Sequence, residues 1–122
     1  MQKVIFDSSF LMAVVETPTT WFEDMIGAIG RFQPVLLGCV REELEGLASG
    51  QGKKSRLARV ALDLASNFSG APCGKAPVDS ELQSSALASG AYVATTDSEL
   101  MSSLKASHVK LVTLRRGRVA LD

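Results

Sequence analysis

Short apolar runs alternate along the chain with longer stretches in which apolar residues recur at helical spacing. The runs with the composition of strands are 3–6, 34–40, 91–96, both halves of 109–122, and a short part of the turn-rich segment 69–77. The stretches with helical periodicity are 9–16, 21–30, 41–48, the segment that follows 49–55 and continues to Phe68, 79–90 and 97–107. Gly90 is placed to end the fifth of these helices as its C-cap.

This alternation predicts an α/β fold, a three-layer α/β/α sandwich with a central, mostly parallel sheet. Neither an internal repeat nor a linker divides the sequence, so we expect one domain over residues 1–122. In such folds, ligands bind outside the carboxyl ends of the strands, near the point where the strand order reverses. The search for function is therefore a search for side chains at that edge.

The composition is that of an ordinary globular protein, with 46% hydrophobic and 21% charged residues. The formal net charge of zero provides no overall attraction to nucleic acid, so binding to a polyanion would require local basic patches. No apolar run approaches the roughly 20 residues that cross a bilayer. The start, MQKVIFDSSF, lacks the layout of a signal peptide. We therefore expect no membrane partner and a cytoplasmic location.

The two cysteines, Cys39 and Cys73, lie far apart in the sequence and neither has a C-x-x-C partner. Two cysteines are too few for a disulfide framework, and the single histidine, His108, cannot complete a zinc site with them. We interpret both cysteines as buried or half-buried thiols.

Two aspartates follow strand-like runs. Asp7 comes directly after VIF and Asp97 comes after AYVATT, so both are expected at the carboxyl edge of the sheet. Each also has a structural interpretation. Asp7 can cap the following helix, and Asp97 can be a first-turn acid in a helix opened by a capping box of Thr96 and Glu99. The local sequence leaves both interpretations open.

Glu43 lies on a predicted helix whose apolar stripe is formed by Val40, Leu44 and Leu47. At about 100° per residue, Glu43 is only about 60° from the centre of that stripe, whereas the neighbouring glutamates point away from it. We therefore expect its carboxylate at the edge of the buried face. A solvated glutamate at the boundary is the alternative.

Asp79 is placed in a similar way at the start of the next helix, where it shares a face with Leu82 and Ala86. An N-cap is the alternative interpretation. Ser80 and Gln83, however, can fill that position as a capping box.

Clustered carboxylates repel one another and raise one another's pKa, so four acids at one edge require compensation. Hard oxygen ligands select Mg²⁺ or Mn²⁺, and Mg²⁺ is typically held by one or two carboxylates together with water and substrate phosphates. Two such ions about 3.5–4 Å apart can activate water and stabilise the leaving oxygen in phosphodiester cleavage. The acids therefore favour a Mg or Mn cofactor, in an arrangement that could support phosphodiester cleavage.

Four blocks of the sequence resemble, in order and spacing, the motifs of PIN-domain nucleases: VIFDSSFL, CVREELEGL, VDSELQSSALASGAYVATTDSEL and VKLVTLRRGR. The likeness covers nearly the whole chain and is greatest to single-domain proteins related to small-subunit rRNA-processing PIN endonucleases. It implies Mg²⁺- or Mn²⁺-dependent endoribonuclease activity, with water as the nucleophile. The residues to which it gives catalytic and metal-binding roles are Asp7, Glu43, Asp79 and Asp97, with Glu99 as an additional candidate.

The motifs depart from the family pattern at three places. The first motif reads Asp-Ser-Ser at 7–9 where Asp-Thr-Asn or Asp-Thr-Ser is common, a second acid is absent after Asp79, and Thr96 stands where Asn is frequent. The four principal acids are retained. The hydroxyl residues expected to support these acids by hydrogen bonding are Ser8, Ser9 and Thr95.

Two groups of basic residues are candidate contacts for the RNA backbone. Lysines at a helix N-terminus oppose the helix dipole, so phosphate attraction explains them better than local stability does, with a solvated basic edge as the alternative. The basic residues are Lys53, Lys54, Arg56 and Arg59, followed near the last strand by Arg115, Arg116 and Arg118. Few aromatic residues accompany them, so base stacking is not expected, and Trp21 and Phe22 are assigned to the core or to a dimer face.

Other interpretations of the sequence remain open. A toxin-type PIN ribonuclease shares the same chemistry and would be neutralised by an antitoxin. The last motif, LRRGRVALD, favours an rRNA-processing enzyme, which would bind ribosome-assembly partners. A non-catalytic RNA- or protein-binding module would be marked by an incomplete acid set. A phosphoacceptor receiver domain is disfavoured. It would require paired acids after the first strand and a lysine before a proline after the fifth, whereas one acid follows the first strand and VTLRRG has no lysine. Homodimerisation, common in the PIN family, also stays open.

Overall fold

The computed structural model describes residues 1–17 and 19–122, and within these ranges the chain forms six strands and six α-helices. The strands are β1 (Gln2–Phe6), β2 (Phe32–Leu37), β3 (Ser69–Ala71), β4 (Tyr92–Ala94), β5 (Leu111–Arg115) and β6 (Arg118–Leu121). The helices are α1 (Ser8–Glu16), α2 (Trp21–Ile29), α3 (Gly38–Ala48), α4 (Lys53–Leu64), α5 (Val78–Ser89) and α6 (Ser98–Ala106).

One sheet joins the described strands in the order β3-β2-β1-β4-β5-β6. The strands β1 to β5 pair in parallel, and β6 returns antiparallel to β5. Because parallel crossovers are right-handed, the helices that connect β1, β2 and β3 lie on one face, and those that connect β3, β4 and β5 lie on the other. The predicted three-layer α/β fold with a mostly parallel sheet is confirmed.

The strand order reverses between β1 and β4. From β1 the chain moves outward through β2 and β3, then crosses back to place β4 on the other side of β1. At the carboxyl ends of these two strands, the Asp7 N–H donates to the carbonyl oxygen of Ala94 at 2.9 Å. Open α/β sheets form their ligand crevice at such a point.

An aromatic cluster fills the core beneath this edge. Phe6, at the end of β1, is fully buried, and its ring centroid lies 5.5 Å from that of Phe10, 5.7 Å from Trp21 and 5.0 Å from Phe68. Burying an aromatic side chain of this kind contributes roughly 1.5–3 kcal/mol. The residue that precedes Asp7 is thereby anchored. Trp21 packs against the core as expected, whereas Phe22 is 46% exposed.

Two elements end at least three residues earlier than the sequence-based expectation. The run 34–40 is strand only as far as Leu37, and α3 begins at Gly38. An apolar run does not distinguish a buried strand from the buried first turn of a helix, and Val40 belongs to that turn. The helix expected to reach Phe68 ends at Leu64 and is followed by a 3₁₀ turn, Ala65–Asn67.

Gly90 adopts the left-handed conformation, with φ of 69°, and ends α5 as predicted. No helix in the described part of the chain has the length and apolar character needed to span a bilayer.

Candidate active site

Five acidic residues stand near the carboxyl edge of the sheet. Asp7 and Asp97 are the N-cap residues of α1 and α6, the helices that follow β1 and β4. Asp79 lies in the first turn of α5 and Glu99 in the first turn of α6. Glu43 lies in the middle of α3. The elements that carry these acids therefore meet around the switch point.

The Asp7 carboxylate is held by two hydroxyl groups. Asp7 is only 6% exposed, and its Oδ2 accepts hydrogen bonds from Ser9 Oγ at 2.5 Å and from Thr95 Oγ1 at 2.8 Å. A buried carboxylate requires such donors. None of the described residues donates to Oδ1, and every buried polar side-chain atom of these residues has a partner, so Oδ1 reaches solvent. One oxygen of Asp7 is fixed and the other is open to a ligand.

The same hydroxyl groups bind the backbone that follows β4. Ser9 Oγ accepts a hydrogen bond from the Thr96 N–H at 3.0 Å, and Thr95 Oγ1 accepts one from the Asp97 N–H at 3.1 Å. Each hydroxyl has one proton, which it gives to Asp7, and lone pairs that accept an amide proton. Although Ser9 is shorter than the Asn common in PIN motifs, it reaches Asp7 and ties α1 to the turn before α6.

Asp97 caps α6 directly. Its Oδ1 accepts hydrogen bonds from the Glu99 N–H at 2.9 Å and the Leu100 N–H at 3.1 Å. The expected capping box of Thr96 and Glu99 is wrong, because the cap lies one residue later than that box requires. Oδ2 of Asp97 accepts no hydrogen bond from the described residues, and the residue is exposed. Asp97 therefore supports the helix with one oxygen and leaves the other available.

Glu43 is joined to α1 by Ser8, whose Oγ donates to Oε1 at 2.5 Å. Val40 and Leu44 are buried as the helical stripe predicts, while the Glu43 side chain is exposed. Adjacent serines at the start of α1 thus orient two different acids, Ser8 orienting Glu43 and Ser9 orienting Asp7.

Asp79 experiences the combined charge of the other acids. Its pKa is raised above the ordinary value of 3.8, chiefly because its carboxylate is partly removed from water. Repulsion adds to this effect, with contributions, largest first, from Asp7, Asp97, Glu43 and Glu99. The acids selected from the sequence therefore lie close enough to influence one carboxylate.

Asp79 is not a helix cap, because α5 has Pro77 in the N-cap position. The expected capping box of Ser80 and Gln83 is also wrong. Gln83 Nε2 instead donates to Ser107 Oγ at 2.7 Å, which joins α5 to the end of α6.

The donor set suits a hydrated divalent ion better than a fully preformed cage. Within residues 1–17 and 19–122, no three Asp, Glu, His or Cys side chains converge closely enough to hold one ion among them. Mg²⁺ is commonly bound by only one or two carboxylates, with water and substrate oxygens completing its coordination. The open oxygens of Asp7 and Asp97 and the repulsion at Asp79 fit an ion of this kind.

A cleft of about 890 Å³ opens beside Glu43 between α1, α3 and α4. Its apolar lining includes Met12, Leu47 and Leu57. The charged residues that line it are Glu16, Glu42, Glu43, Lys53 and Lys54. The cleft was not predicted from the sequence, because its walls come from three helices and no single motif marks it.

Of the first basic group, two lysines line this cleft and one arginine binds backbone carbonyl groups. Lys53 and Lys54 line the cleft, with Lys53 Nζ 3.3 Å from a Glu16 carboxylate oxygen. Arg59 instead donates to the carbonyl oxygens of Ala48 and Gly50, at 2.6 and 3.4 Å, and so stabilises the connection between α3 and α4. Arg56 is exposed on α4.

The second basic group belongs to the β5–β6 hairpin. Arg115 pairs with Asp122 at 2.9 Å, and Arg118 contacts both carboxylate oxygens of Asp24 at 2.8 and 3.0 Å. Arg116 is exposed in the turn. Contact of either basic group with RNA stays a prediction.

Cys39 and Cys73 form a disulfide bond, with their Cα atoms 5.8 Å apart. The interpretation of these residues as separate thiols is therefore wrong. Motif spacing could not reveal the bond, because the loop after β3 brings Cys73 to the first turn of α3.

Comparison with known proteins agrees with this architecture. A family model described as a PIN like domain matches residues 4–118. The PIN domain endonuclease Utp24 superposes with a TM-score of 0.82 at 21% identity, covering 98% of this chain and 90% of that chain. A domain of a functionally unknown protein from Methanocaldococcus jannaschii DSM 2661 gives a TM-score of 0.68 at 16% identity, covering 100% of this chain and 97% of that chain.

PAE2754 from Pyrobaculum aerophilum gives a TM-score of 0.53 at 18% identity, covering 83% of this chain and 78% of that chain. The comparison with curated protein sequences gives no significant match. At these identities the solved structures establish the shared fold, and the family model establishes the family. The resemblance to PIN-domain nucleases is confirmed, and the chain belongs to the family of PIN-like domains.

Proposed function

We propose that residues 1–122 form one nuclease domain, a divalent-metal-dependent endoribonuclease that cleaves RNA phosphodiester bonds with Mg or Mn as cofactor. Its catalytic and metal-binding residues are Asp7, Glu43, Asp79 and Asp97, with Glu99 as an additional ligand. The observation that carries this proposal is the arrangement of Asp7 and Asp97. Each carboxylate is fixed through one oxygen and open at the other, at the switch point of the sheet. Membership in the PIN-like family supports the same chemistry.

The side chains divide the work of such a reaction. A divalent ion, when bound, activates water and neutralises charge on the leaving oxygen. Ser9 and Thr95 fix Asp7 so that Oδ1 is presented to ligands. Ser8 fixes Glu43 in the same manner. Asp79, whose pKa is raised by partial burial and by the neighbouring carboxylates, would be relieved of that repulsion by the positive charge of a bound ion.

The cleft between α1, α3 and α4 provides a path for the RNA beside the acids. Lys53 and Lys54 offer phosphate contacts along it, and its apolar lining accommodates a base or ribose. Because phosphate contacts release counterions, binding along this path weakens as salt rises. The proposed substrate is therefore a flexible, single-stranded RNA segment that can enter a cleft.

A role in rRNA processing is the more specific form of this proposal. Its support is the likeness of the four sequence blocks, including LRRGR, to the small-subunit rRNA-processing PIN endonucleases. RNA recovered by crosslinking to the chain in cells tests it, with precursor rRNA as the expected product. Enrichment of tRNA or mRNA instead would contradict the rRNA role and favour the toxin-type alternative.

Cleavage of a labelled RNA in the presence of Mn²⁺ tests the activity itself. Wild type is compared with Asp7→Asn and Asp97→Asn, because asparagine keeps the side-chain shape and also caps helices well. We expect wild type to cleave and both variants to lose cleavage while remaining folded. Equal metal-stimulated cleavage by all three proteins would indicate a contaminating nuclease and overturn the assignment.

A further inference from the structure

The Cys39–Cys73 disulfide lies between two elements that carry acids. Cys39 is in the first turn of α3, one helical turn before Glu43, and Cys73 lies in the loop that leads into α5. The Cα separation of 5.8 Å is in the usual range for a bonded pair. The bond therefore ties the beginning of the Glu43 helix to the segment that precedes Asp79.

The loop that contains Cys73 is coupled to α5 by a second contact. The Gly74 N–H donates to Glu81 Oε1 at 2.5 Å, and Glu81 lies in the same helical turn as Asp79. A displacement of Cys73 is therefore transmitted to the start of α5. On the other side, the Cys39 N–H donates to Cys73 Sγ at 3.3 Å, so the sulfur also rests against the N-terminus of α3.

We propose that Cys39 and Cys73 form a reversible thiol–disulfide clamp that sets the spacing between α3 and α5 and thereby controls the acid cluster. Its effect on RNA cleavage rests on the function proposed above. In the oxidised form the clamp holds Glu43 and Asp79 in register. In the reduced form α3 and the loop before α5 separate, and cleavage falls.

The proposed reductant is a dithiol. One of its thiolates attacks Cys39 Sγ, the Cys39–Cys73 bond breaks, and a mixed disulfide forms with Cys39. Cys73 departs as a thiolate, which the N-terminus of α3 and the Cys39 N–H stabilise. The second reductant thiolate then releases Cys39 and the reductant becomes a disulfide. Two electrons and two protons pass from the reductant to the protein, which ends with two thiols.

The first test compares oxidised and dithiothreitol-reduced wild type by alkylation, mass spectrometry and amide hydrogen exchange. It needs no variant. We expect alkylation of both cysteines only after reduction, with faster exchange in the first turns of α3 and α5 and unchanged exchange in the β5–β6 hairpin. Complete alkylation of the oxidised sample, or identical exchange of α3 and α5 in the two forms, would overturn the clamp.

The second test measures RNA cleavage after the reductant has been removed under nitrogen. A misplacement of about 1 Å can cost about a hundredfold in rate, so we expect reduction to lower cleavage on the order of tenfold and reoxidation to restore it. Cys39→Ser/Cys73→Ser should resemble reduced wild type under both conditions. Equal cleavage by oxidised and reduced wild type would refute control of catalysis. Differing exchange without cleavage in either form would refute the nuclease function and leave the clamp established.

Discussion

Thr95 Oγ1 donates a hydrogen bond to Asp7 Oδ2 at 2.8 Å, although the two residues are 88 positions apart in the sequence. The bond crosses from the end of β4 to the end of β1, where the strand order reverses. It fixes one oxygen of a buried carboxylate and leaves the other facing solvent. The strand order of the sheet thus places Thr95 where its hydroxyl group orients the Asp7 carboxylate.

Replacing Thr95 with valine removes this donor while keeping the side-chain volume. Asp7 Oδ2 loses one of its two hydroxyl partners, and the Asp97 N–H loses its acceptor. We expect the free energy of unfolding to fall by about 1–3 kcal/mol, the cost of leaving buried polar groups unpaired. Urea denaturation measures the change. Thr96→Val is the matched control, because no hydrogen bond joins the Thr96 hydroxyl to the described residues. If the free energy of unfolding falls as far in this control, the account is contradicted.

Asp97 supports a helix and is also a proposed catalytic acid, and two substitutions separate these roles. Asp97→Asn keeps a good N-cap while removing the charge, so we expect little change in stability and loss of RNA cleavage. Asp97→Ala removes both functions and should also lower the free energy of unfolding by about 0.5–2 kcal/mol. Thermal unfolding and cleavage are measured on both proteins. Retention of full cleavage by Asp97→Asn would leave the residue with a capping role alone.

The raised pKa of Asp79 makes stability depend on pH in a defined direction. Because the native state holds this proton more tightly than the unfolded state, the associated stability is present below the ordinary value of 3.8 and is lost as pH rises through the raised pKa. The Asp79→Asn variant has no carboxyl group to ionise at this position, so it does not lose this stability as pH rises. We expect the variant to be more stable than wild type at neutral pH, with the difference shrinking towards pH 3.8.

Glu23→Gln is the control for Asp79→Asn, since Glu23 is also a first-turn acid but lies on α2, outside the cluster. We expect no stabilisation in this control, because the loss of a helix-dipole interaction is then uncompensated. Denaturation curves of the three proteins at several pH values measure the differences in the free energy of unfolding. A pH-independent difference between wild type and Asp79→Asn would show that ionisation of the Asp79 carboxyl group is not its cause.

Lys53 and Lys54 should govern RNA affinity through charge. For single-stranded RNA, the slope of log affinity against log salt becomes less steep by about 0.7 for each phosphate contact that is removed. We expect Lys53→Ala/Lys54→Ala to weaken binding at low salt and to flatten that slope by roughly 1.4 if each lysine binds one phosphate. Lys110→Ala is the control, because Lys110 precedes β5 and lies at the opposite edge of the sheet. An equal change in both proteins would contradict the proposed RNA path.

The positions of the acids could be predicted because they follow local rules. Asp7 comes directly after a buried strand, and Glu43 lies beside a stripe of buried residues at helical spacing. The family motifs then indicated the same residues. Strand ends and helix faces can be recognised from the neighbouring sequence alone, so the places of these candidate residues in the fold could be predicted.

Features that depend on distant segments could not be derived in this way. The Cys39–Cys73 bond requires the loop after β3 to approach α3, and the pairing of Arg115 with Asp122 requires the hairpin to close. Asp97 illustrates a smaller limit. A shift of one residue in the helix start makes it the cap, and helix boundaries are not fixed by sequence to that accuracy.

Direct titration of Mn²⁺ into the protein, followed by electron paramagnetic resonance of the free ion, tests the central claim that these carboxylates bind a divalent cation. Wild type is compared with Asp7→Asn, and with Glu45→Gln as a control acid on α3 whose side chain is exposed. We predict that wild type and Glu45→Gln bind Mn²⁺ with equal affinity and that Asp7→Asn, though folded, binds it at least about tenfold more weakly, a change of 1.4 kcal/mol or more. Equal Mn²⁺ affinity in wild type and Asp7→Asn would contradict the claim.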